Sequence, residues 1–276
     1  MTIGEKYKEL AHALAPTGEG EAEARTILAH VCGCDFGSLY LRFLDTWTSD
    51  AQTDSIVQQR LDGMPLAYIL GVKPFYGREF SVDSRVLIPR YDSECVVERA
   101  VALADADNAR TALDLCCGSG CLGITLLLES GIEELYLSDI SADALDVARA
   151  NARKHNISST CHFIESDLLD RVDAHVDIIL CNPPYISEAD YRALDAQMRD
   201  HEPALALLAA NDGYAFYQRL IPQLGAHLNP GGCVVLETGD TQAETVAGML
   251  AGANFIDVGQ GCDIVGRPRF VWGRLP

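Results

Sequence analysis

From Thr111 onward, short apolar runs alternate with stretches of helical spacing, and this rhythm restricts the fold more than any other feature. Strand candidates fall at 112–116, 135–137, 161–164, 176–181, 233–237, 255–258 and 269–272. Helical stretches lie between most of them, notably at 142–154, 214–227 and 241–251. Strands that are apolar on both faces must be covered on both, and intervening helices supply the crossovers that parallel pairing requires. The expectation is an α/β protein with a parallel, doubly wound sheet and helices on both faces.

Before Thr111 the pattern differs. Tyr7, Leu10, Ala11 and Leu14 keep helical spacing, as do Ala24, Ile27, Leu28 and Val31. Ser49 is placed to cap a third helix that ends before Gly63-Met64-Pro65. Residues 75–80 and 86–89 are rich in strand formers, with Gly77 as a turn, and helical spacing returns over 92–104. The chain therefore divides into a small helical N-terminal domain (1–72), a short β linker (73–90) and an α/β domain (91–276).

Composition excludes several classes. Hydrophobic residues make up 48% of the 276, which excludes a disordered chain. Net charge is −19, spread along the chain, and no Lys/Arg run appears, so bare nucleic acid is not an expected partner. No segment reaches the ~18 apolar residues of a membrane span, and residues 1–10 lack the basic-then-apolar order of a signal peptide. A cytoplasmic protein without membrane contact is expected. The ten Cys form no pair of Cys-x-x-Cys units, Cys32-Gly33-Cys34 is too close for an ordinary bridge, and several others sit in apolar runs. They read as reduced, packed thiols, and no metal site is expected.

Two motifs carry chemistry. Leu113-Asp114-Leu115-Cys116-Cys117-Gly118-Ser119-Gly120-Cys121 joins a strand to a helix, and its glycines permit a tight turn and close approach of a ligand to the backbone. Asp139 ends the next strand, where a ribose-binding carboxylate sits in nucleotide folds. Together they suggest an adenosine-containing cofactor without saying which. The spelling Asp-x-x-x-Gly-x-Gly is similar to the loop of class I S-adenosylmethionine-dependent methyltransferases rather than to the usual dinucleotide loop.

The second motif is Asn182-Pro183-Pro184-Tyr185, directly after the 176–181 strand. Ligands bind beyond the carboxyl ends of strands in such sheets, so it belongs to the same cleft. Two prolines hold an extended path and donate no backbone hydrogen bonds. An amide or aromatic amine nitrogen attacks carbon poorly because its lone pair is delocalised. Accepting its two N–H bonds, on the Asn182 side chain and the Pro183 carbonyl, would aim that lone pair at an incoming methyl group. Tyr185 would stack on the planar group and fix its orientation.

From about Arg25 onward the chain resembles the HemK-type protein-glutamine methyltransferases. The resemblance is carried by Pro65-Leu66-Ala67-Tyr68-Ile69-Leu70-Gly71, Phe75-Tyr76-Gly77, Val86-Leu87-Ile88-Pro89-Arg90, the loop from Asp114 to Gly120, Asp139-Ile140-Ser141, Ser166-Asp167-Leu168 and Asn182-Pro183-Pro184-Tyr185. His201-Glu202-Pro203, Asp212-Gly213 and Glu237-Thr238-Gly239 continue it. It implies a class I, Rossmann-like fold and transfer of a methyl group from S-adenosyl-L-methionine, leaving S-adenosyl-L-homocysteine, to a protein glutamine amide. In the release-factor branch the acceptor is the Gly-Gly-Gln glutamine of class I peptide chain release factors, and the helical N-terminal domain helps dock that partner. The cofactor contacts it implies are Cys116, Cys117, Gly118, Ser119, Gly120, Asp139, Leu168 and Asn182. The glutamine contacts are Asn182, Pro183, Pro184 and Tyr185.

Three positions depart from that pattern. Cys116 stands where the release-factor enzymes usually carry Gly, which a small side chain can satisfy if φ stays negative. Tyr91-Asp92-Ser93-Glu94 replaces the usual Pro-Glu-Thr-Glu, and Leu168 replaces a frequent aromatic residue. The Cys-containing loop resembles the sister branch that methylates a ribosomal large-subunit protein. Glu237-Thr238-Gly239-Asp240-Thr241-Gln242 and Asp263-Ile264-Val265-Gly266-Arg267 resemble the release-factor branch, which is the one expected.

A nucleic-acid adenine amino-methyltransferase would use the same tetrapeptide but needs a basic groove. A dehydrogenase would explain the glycine loop and not the tetrapeptide. A non-enzymatic adaptor has only Cys116 and 91–94 in its favour. Trp47 and Trp272 read as packing residues and His201 as a structural group, while Glu202 and Glu237 are open to either a structural role or one in tuning the site; no dedicated base is assigned.

Overall fold

A computed structural model describes all 276 residues. Two compact units result: Met1–Val72 with Asp195–His201, and Lys73–Leu194 with Glu202–Pro276. In the first, α1 (Ile3–Ala13) opens on a reciprocal cap. The Thr2 hydroxyl accepts from Glu5 N at 3.2 Å, and the Glu5 carboxylate accepts from Thr2 N at 2.8 Å. Next come α2 (Gly20–Cys32), α3 (Phe36–Leu41), α4 (Asp50–Leu61) and α5 (Leu66–Leu70). Ile3, Leu10, Leu14, Ala24, Ile27, Leu28, Leu39 and Ile56 form their shared core. Trp47 belongs to it too, and its indole N–H donates to Asp50. Two helices, α3 and α5, are not visible in the spacing of apolar residues, because six and five residues are too short to display a period. Ser49 does precede α4, but its side chain makes no capping bond.

The second unit begins with a hairpin, β1 (Val72–Phe75) and β2 (Arg78–Ser81). The expected strand at 86–89 does not form. Pro89 offers no N–H, and Ile88 N donates instead to the buried Glu202 carboxylate at 3.1 Å. Then follow α6 (Glu94–Asp107), β3 (Thr111–Leu115), α7 (Cys121–Glu129), β4 (Glu134–Asp139), α8 (Ala142–Lys154), β5 (Cys161–Glu165) and β6 (Val176–Cys181). The remainder is α9 (Glu188–Ala193), α11 (Ala215–Leu224), β7 (Leu228–Glu237), α12 (Ala243–Gly252), β8 (Ile256–Cys262) and β9 (Pro268–Arg274), whereas α10 (Ala196–His201) belongs to the first unit.

Seven strands make one sheet in the order β5-β4-β3-β6-β7-β9-β8. The expectation of a wholly parallel sheet is corrected at one edge: β9 runs antiparallel to both β7 and β8. No helix separates β8 from β9, and a tight connection permits only antiparallel pairing. β7 to β8 keeps its helical crossover, α12, with β9 inserted between them.

Side chains leave the central strands alternately for two cores. Ala112, Ile178, Leu180, Cys233 and Val235 pack with α6, α7 and α8 residues such as Val97, Ile124 and Ala148. Leu113, Leu115, Ile179, Cys181, Val234 and Leu236 pack with Tyr217, Leu220, Val246 and Leu250 of α11 and α12. The interior strands are thus apolar on both faces, which is why their runs are legible in the sequence. Trp272 lies at the first core with the Arg99 guanidinium 3.8 Å above its ring. No helix is long and apolar enough to cross a membrane.

Candidate active site

The carboxyl ends of β3, β4 and β6 open into a cleft of about 360 Å³, within the range of small-molecule sites. The glycine loop forms its floor. Gly120 N donates to Cys117 O at 2.7 Å and closes the turn. Gly120 has φ +77°, and a Cβ there would lie 2.9 Å from Leu137, so the position is closed to other residues. Cys116 also lies in the left-handed region, at φ +57°. The expectation of a negative φ is therefore overturned: Cys takes the conformation that glycine ordinarily supplies, at a cost of roughly 1–2 kcal/mol.

Asp139 organises the loop from the neighbouring strand. One carboxylate oxygen accepts from Gly118 N and the other from Ser141 N, both at 2.9 Å. Burial pushes its carboxyl up, against the pull of these N–H groups and that of Ile140. Each oxygen retains a lone pair that can accept a hydroxyl. Leu168, buried and at φ +51°, adds an apolar wall, as does Ile140.

Beneath the loop, Asp114 is fully buried. Its carboxylate accepts from Gly123 N at 2.8 Å while its other oxygen has no partner. Burial pushes this carboxyl up to about 8. Asn151, also fully buried, braces the loop from α8: its amide donates to Ser119 O and Ser81 O and its oxygen accepts from Ser81 N.

Of the tetrapeptide, Asn182 and Pro184 line the cleft, together with Cys116, Cys117, Gly118, Ser119, Asp139 and Leu168. Gly120, Pro183 and Tyr185 do not line it. Tyr185 is half-buried, with its phenol donating to the Glu237 carboxylate at 3.3 Å and its carbonyl accepting from the Gln242 amide at 3.0 Å. Glu237 is buried at the end of β7. Burial pushes it up to about 7, opposed by Ser93, Arg269 and Tyr185.

The cleft has further residues that the motifs do not include. Arg85, Arg90 and Ser93 line it from the segment after the hairpin, and Phe216 and Arg219 from α11. Arg90 is fixed by Glu202 at 2.6 Å and Arg219 by Asp167 at 2.7 Å. The first group lies within or beside Val86-Leu87-Ile88-Pro89-Arg90, whose resemblance is visible in the sequence. Phe216 and Arg219 leave only an ordinary amphipathic helix as signal.

A seven-strand sheet with a glycine loop after its first strand and Asn-Pro-Pro-Tyr after its fourth defines a class I methyltransferase. Comparison with known proteins agrees. The Methyltransferase small domain family matches residues 97–206, and the PrmC N-terminal domain family matches residues 5–71. A release factor glutamine methyltransferase of Geobacter sulfurreducens is 36% identical over 95% of this chain and 93% of its own. One from Chlorobaculum tepidum is 39% identical over 87% and 85%, respectively. The chain belongs to the release factor glutamine methyltransferase family. Among solved structures, the ribosomal protein L11 methylase of Lactobacillus delbrueckii subsp. bulgaricus shares the fold at a TM-score of 0.52, with 22% identity over 71% of this chain and 84% of that one. The human Mettl16 catalytic domain shares it at 0.59, with 13% identity over 80% of both.

Proposed function

We propose that the chain methylates the side-chain amide nitrogen of the Gly-Gly-Gln glutamine in class I peptide chain release factors, with S-adenosylmethionine as donor. The observation that carries this reading is that Asn182 and Pro184 border the same cleft as the glycine loop and Asp139. Acceptor and donor sites therefore share one wall.

The residues present fit the donor. Gly118 to Gly120 allow close backbone approach, Asp139 has lone pairs for ribose hydroxyls, and Leu168 and Ile140 suit an adenine face. Cys116, Cys117, Ser119 and Asn182 complete this set. Bound there, S-adenosylmethionine supplies a methyl group already activated by its sulfonium.

The remaining task is to expose the nucleophile's lone pair. The Asn182 side-chain oxygen and the Pro183 carbonyl would each accept one N–H of the glutamine amide. Pro184 keeps the turn extended, and Tyr185, expected to stack on the planar group, lies beside the lining of the cleft and would act by closing the end of the turn. Holding the amide in one orientation removes rotational freedom before the reaction, and positioning of this kind can lower a barrier by several kcal/mol. The amide proton is lost once the nitrogen carries the methyl group and has become acidic, so water suffices as acceptor. The helical residues 1–72 would dock the release factor, 73–90 would link them to the catalytic domain 91–276, and the cytoplasm is the compartment this partner implies.

The test is peptide mass spectrometry after incubation with S-adenosylmethionine and a full-length class I release factor. One methyl group on the Gly-Gly-Gln glutamine is expected, and Asn182→Ala is expected to abolish it while leaving the circular-dichroism spectrum unchanged. Methylation only of a ribosomal large-subunit protein, or full activity in Asn182→Ala, would overturn the reading.

A further inference from the structure

Tyr185 is gripped at both ends by residues from the β7–α12 connection. Its phenol donates to the Glu237 Oε1 at 3.3 Å, and its carbonyl accepts from Gln242 Nε2 at 3.0 Å. Both gripping groups are themselves fixed. Gln242 is 6% exposed, and its oxygen accepts from Gly239 N at 3.0 Å. The Glu237 side chain is buried, and the Tyr217 phenol donates to the Glu237 carbonyl at 2.7 Å. Gly213 closes the same place from a third side: a Cβ there would stand 2.2 Å from Tyr185 O and 2.4 Å from Gln242 Nε2. Ile186, the next residue, is tied to the segment before Gly213 by Ile186 N to Leu207 O at 2.9 Å and Ala209 N to Ile186 O at 2.8 Å.

We propose that Glu237 and Gln242 are positioning residues for methyl transfer, acting together through Tyr185 to hold the Asn182-Pro183-Pro184-Tyr185 turn in the orientation that receives the acceptor amide. The inference rests on the acceptor reading of that turn given above. Prolines stiffen the middle of the turn but supply no donor to tie it, so beside the Ile186 backbone bonds its C-terminal end depends on the contacts made at Tyr185. The two anchors restrain that end: one binds the side chain, the other the backbone. Their chemistry is complementary and not interchangeable. Position 237 needs an acceptor for a phenol O–H, and position 242 needs a donor for a carbonyl and an acceptor for an N–H at once, which an amide provides and a carboxylate does not.

That asymmetry makes the proposal testable with near-isosteric changes. Methyl transfer to a full-length release factor would be followed with S-adenosylmethionine affinity and melting temperature for the wild type, Glu237→Gln, Glu237→Ala, Gln242→Glu, Tyr185→Phe and Tyr185→Phe/Glu237→Ala. Gln242→Glu and Glu237→Ala are expected to lower kcat by about tenfold or more while S-adenosylmethionine affinity moves by less than about twofold. Glu237→Gln, which keeps an acceptor oxygen, is expected to recover most of the loss seen in Glu237→Ala. The double variant is expected to be no worse than Glu237→Ala alone, since the two single changes remove one shared bond. Tyr185→Phe removes a single hydroxyl and carries the test if Glu237→Ala does not fold. Equal tolerance of Gln242→Glu and Glu237→Gln, additive losses in the double variant, or losses confined to S-adenosylmethionine affinity would overturn the clamp. Transfer by the wild type with unaffected variants defeats the clamp alone, whereas no transfer by the wild type defeats the acceptor reading and the clamp with it.

Discussion

Cys116 shows how much one dihedral can hide from a sequence. The glycine loop, Asp139 and Asn182 are legible because their residue types are tied to their chemistry. The φ of +57° at Cys116 is not, since a left-handed Cys spells the same as an extended one. The strain argues for a gain on substitution. Cys116→Gly is expected to raise stability by about 1 kcal/mol, because the left-handed conformation costs a glycine little. Thermal melts would register an upward shift with methyl transfer retained, and a downward shift would mean that the packing of the Cys116 side chain outweighs the strain. Asp114 supports a second prediction at this scale. Its carboxyl is pushed up to about 8 in the fold, whereas an unfolded Asp titrates near ~3.9. Between those values the folded chain holds a proton the unfolded chain has released. Stability present in acid is therefore lost as pH rises towards 8, by about 1.4 kcal/mol per unit of displacement, and the loss levels off above it. Asp114→Asn keeps an oxygen for Gly123 N and cannot titrate, so its melting temperature should fall less between pH 5 and 8.5. A residual slope belongs to Glu237 and Asp139, which are displaced in the same direction. Identical slopes for the variant and the wild type would defeat the assignment.

At the scale of elements, the apolar runs locate every strand of the main sheet, and α8 spans the same Ala142–Lys154 that its spacing predicts. Pairing is what the residues conceal. Nothing in 255–258 or 269–272 states a direction, because strand polarity follows from the connection between strands rather than from their residues. The strand expected at 86–89 fails for a related reason: β-formers need a free edge, and Glu202, distant in sequence, takes up the Ile88 N–H first. Close packing between elements is equally invisible. Gly123 in α7 sits against β3, where an added Cβ would lie 2.6 Å from the Asp114 Cβ and 3.0 Å from Leu135. Helix propensity alone favours Ala over Gly by about 1 kcal/mol. Overpacking a tight contact costs about 1–3 kcal/mol, so Gly123→Ala should destabilise the fold and, by lifting α7, weaken S-adenosylmethionine binding. Gly248 in α12 has nothing within 4 Å of an added Cβ, so Gly248→Ala should instead stabilise by about 0.5–1 kcal/mol. Chemical denaturation of both variants decides the matter: equal effects would mean that propensity, not contact, governs the α7–β3 interface.

For the whole molecule the dominant quantity is charge. With 40 acidic residues against 21 Lys and Arg, many carboxylates have no cation to face, and the net −19 acts against the folded state through self-repulsion. Salt screens this repulsion and the favourable ion pairs alike, so the sign of its effect depends on which is stronger. Exposed pairs such as Arg110–Glu133 and Arg149–Asp146 contribute about 0–1 kcal/mol each and are weakened by screening. The buried Arg60–Glu23 pair at 2.7 Å is shielded from solvent ions and changes little. The unbalanced charge acts over longer distances: the screening length shrinks from about 30 Å at 0.01 M to about 8 Å at 0.15 M salt, which removes most of the repulsion between distant acids while leaving neighbours in contact. Repulsion should therefore outweigh pairing, and the melting temperature should rise by several degrees as chloride salt increases from about 0.01 to about 0.3 M. Chloride is the right probe, because sulfate would also strengthen apolar burial and confound the result. A flat or falling melting temperature would show that local pairs, not net charge, set the electrostatic balance of the molecule, and Lys6, which faces Glu9, Asp50 and Asp54 at once, would be the first pair network to dissect by substitution.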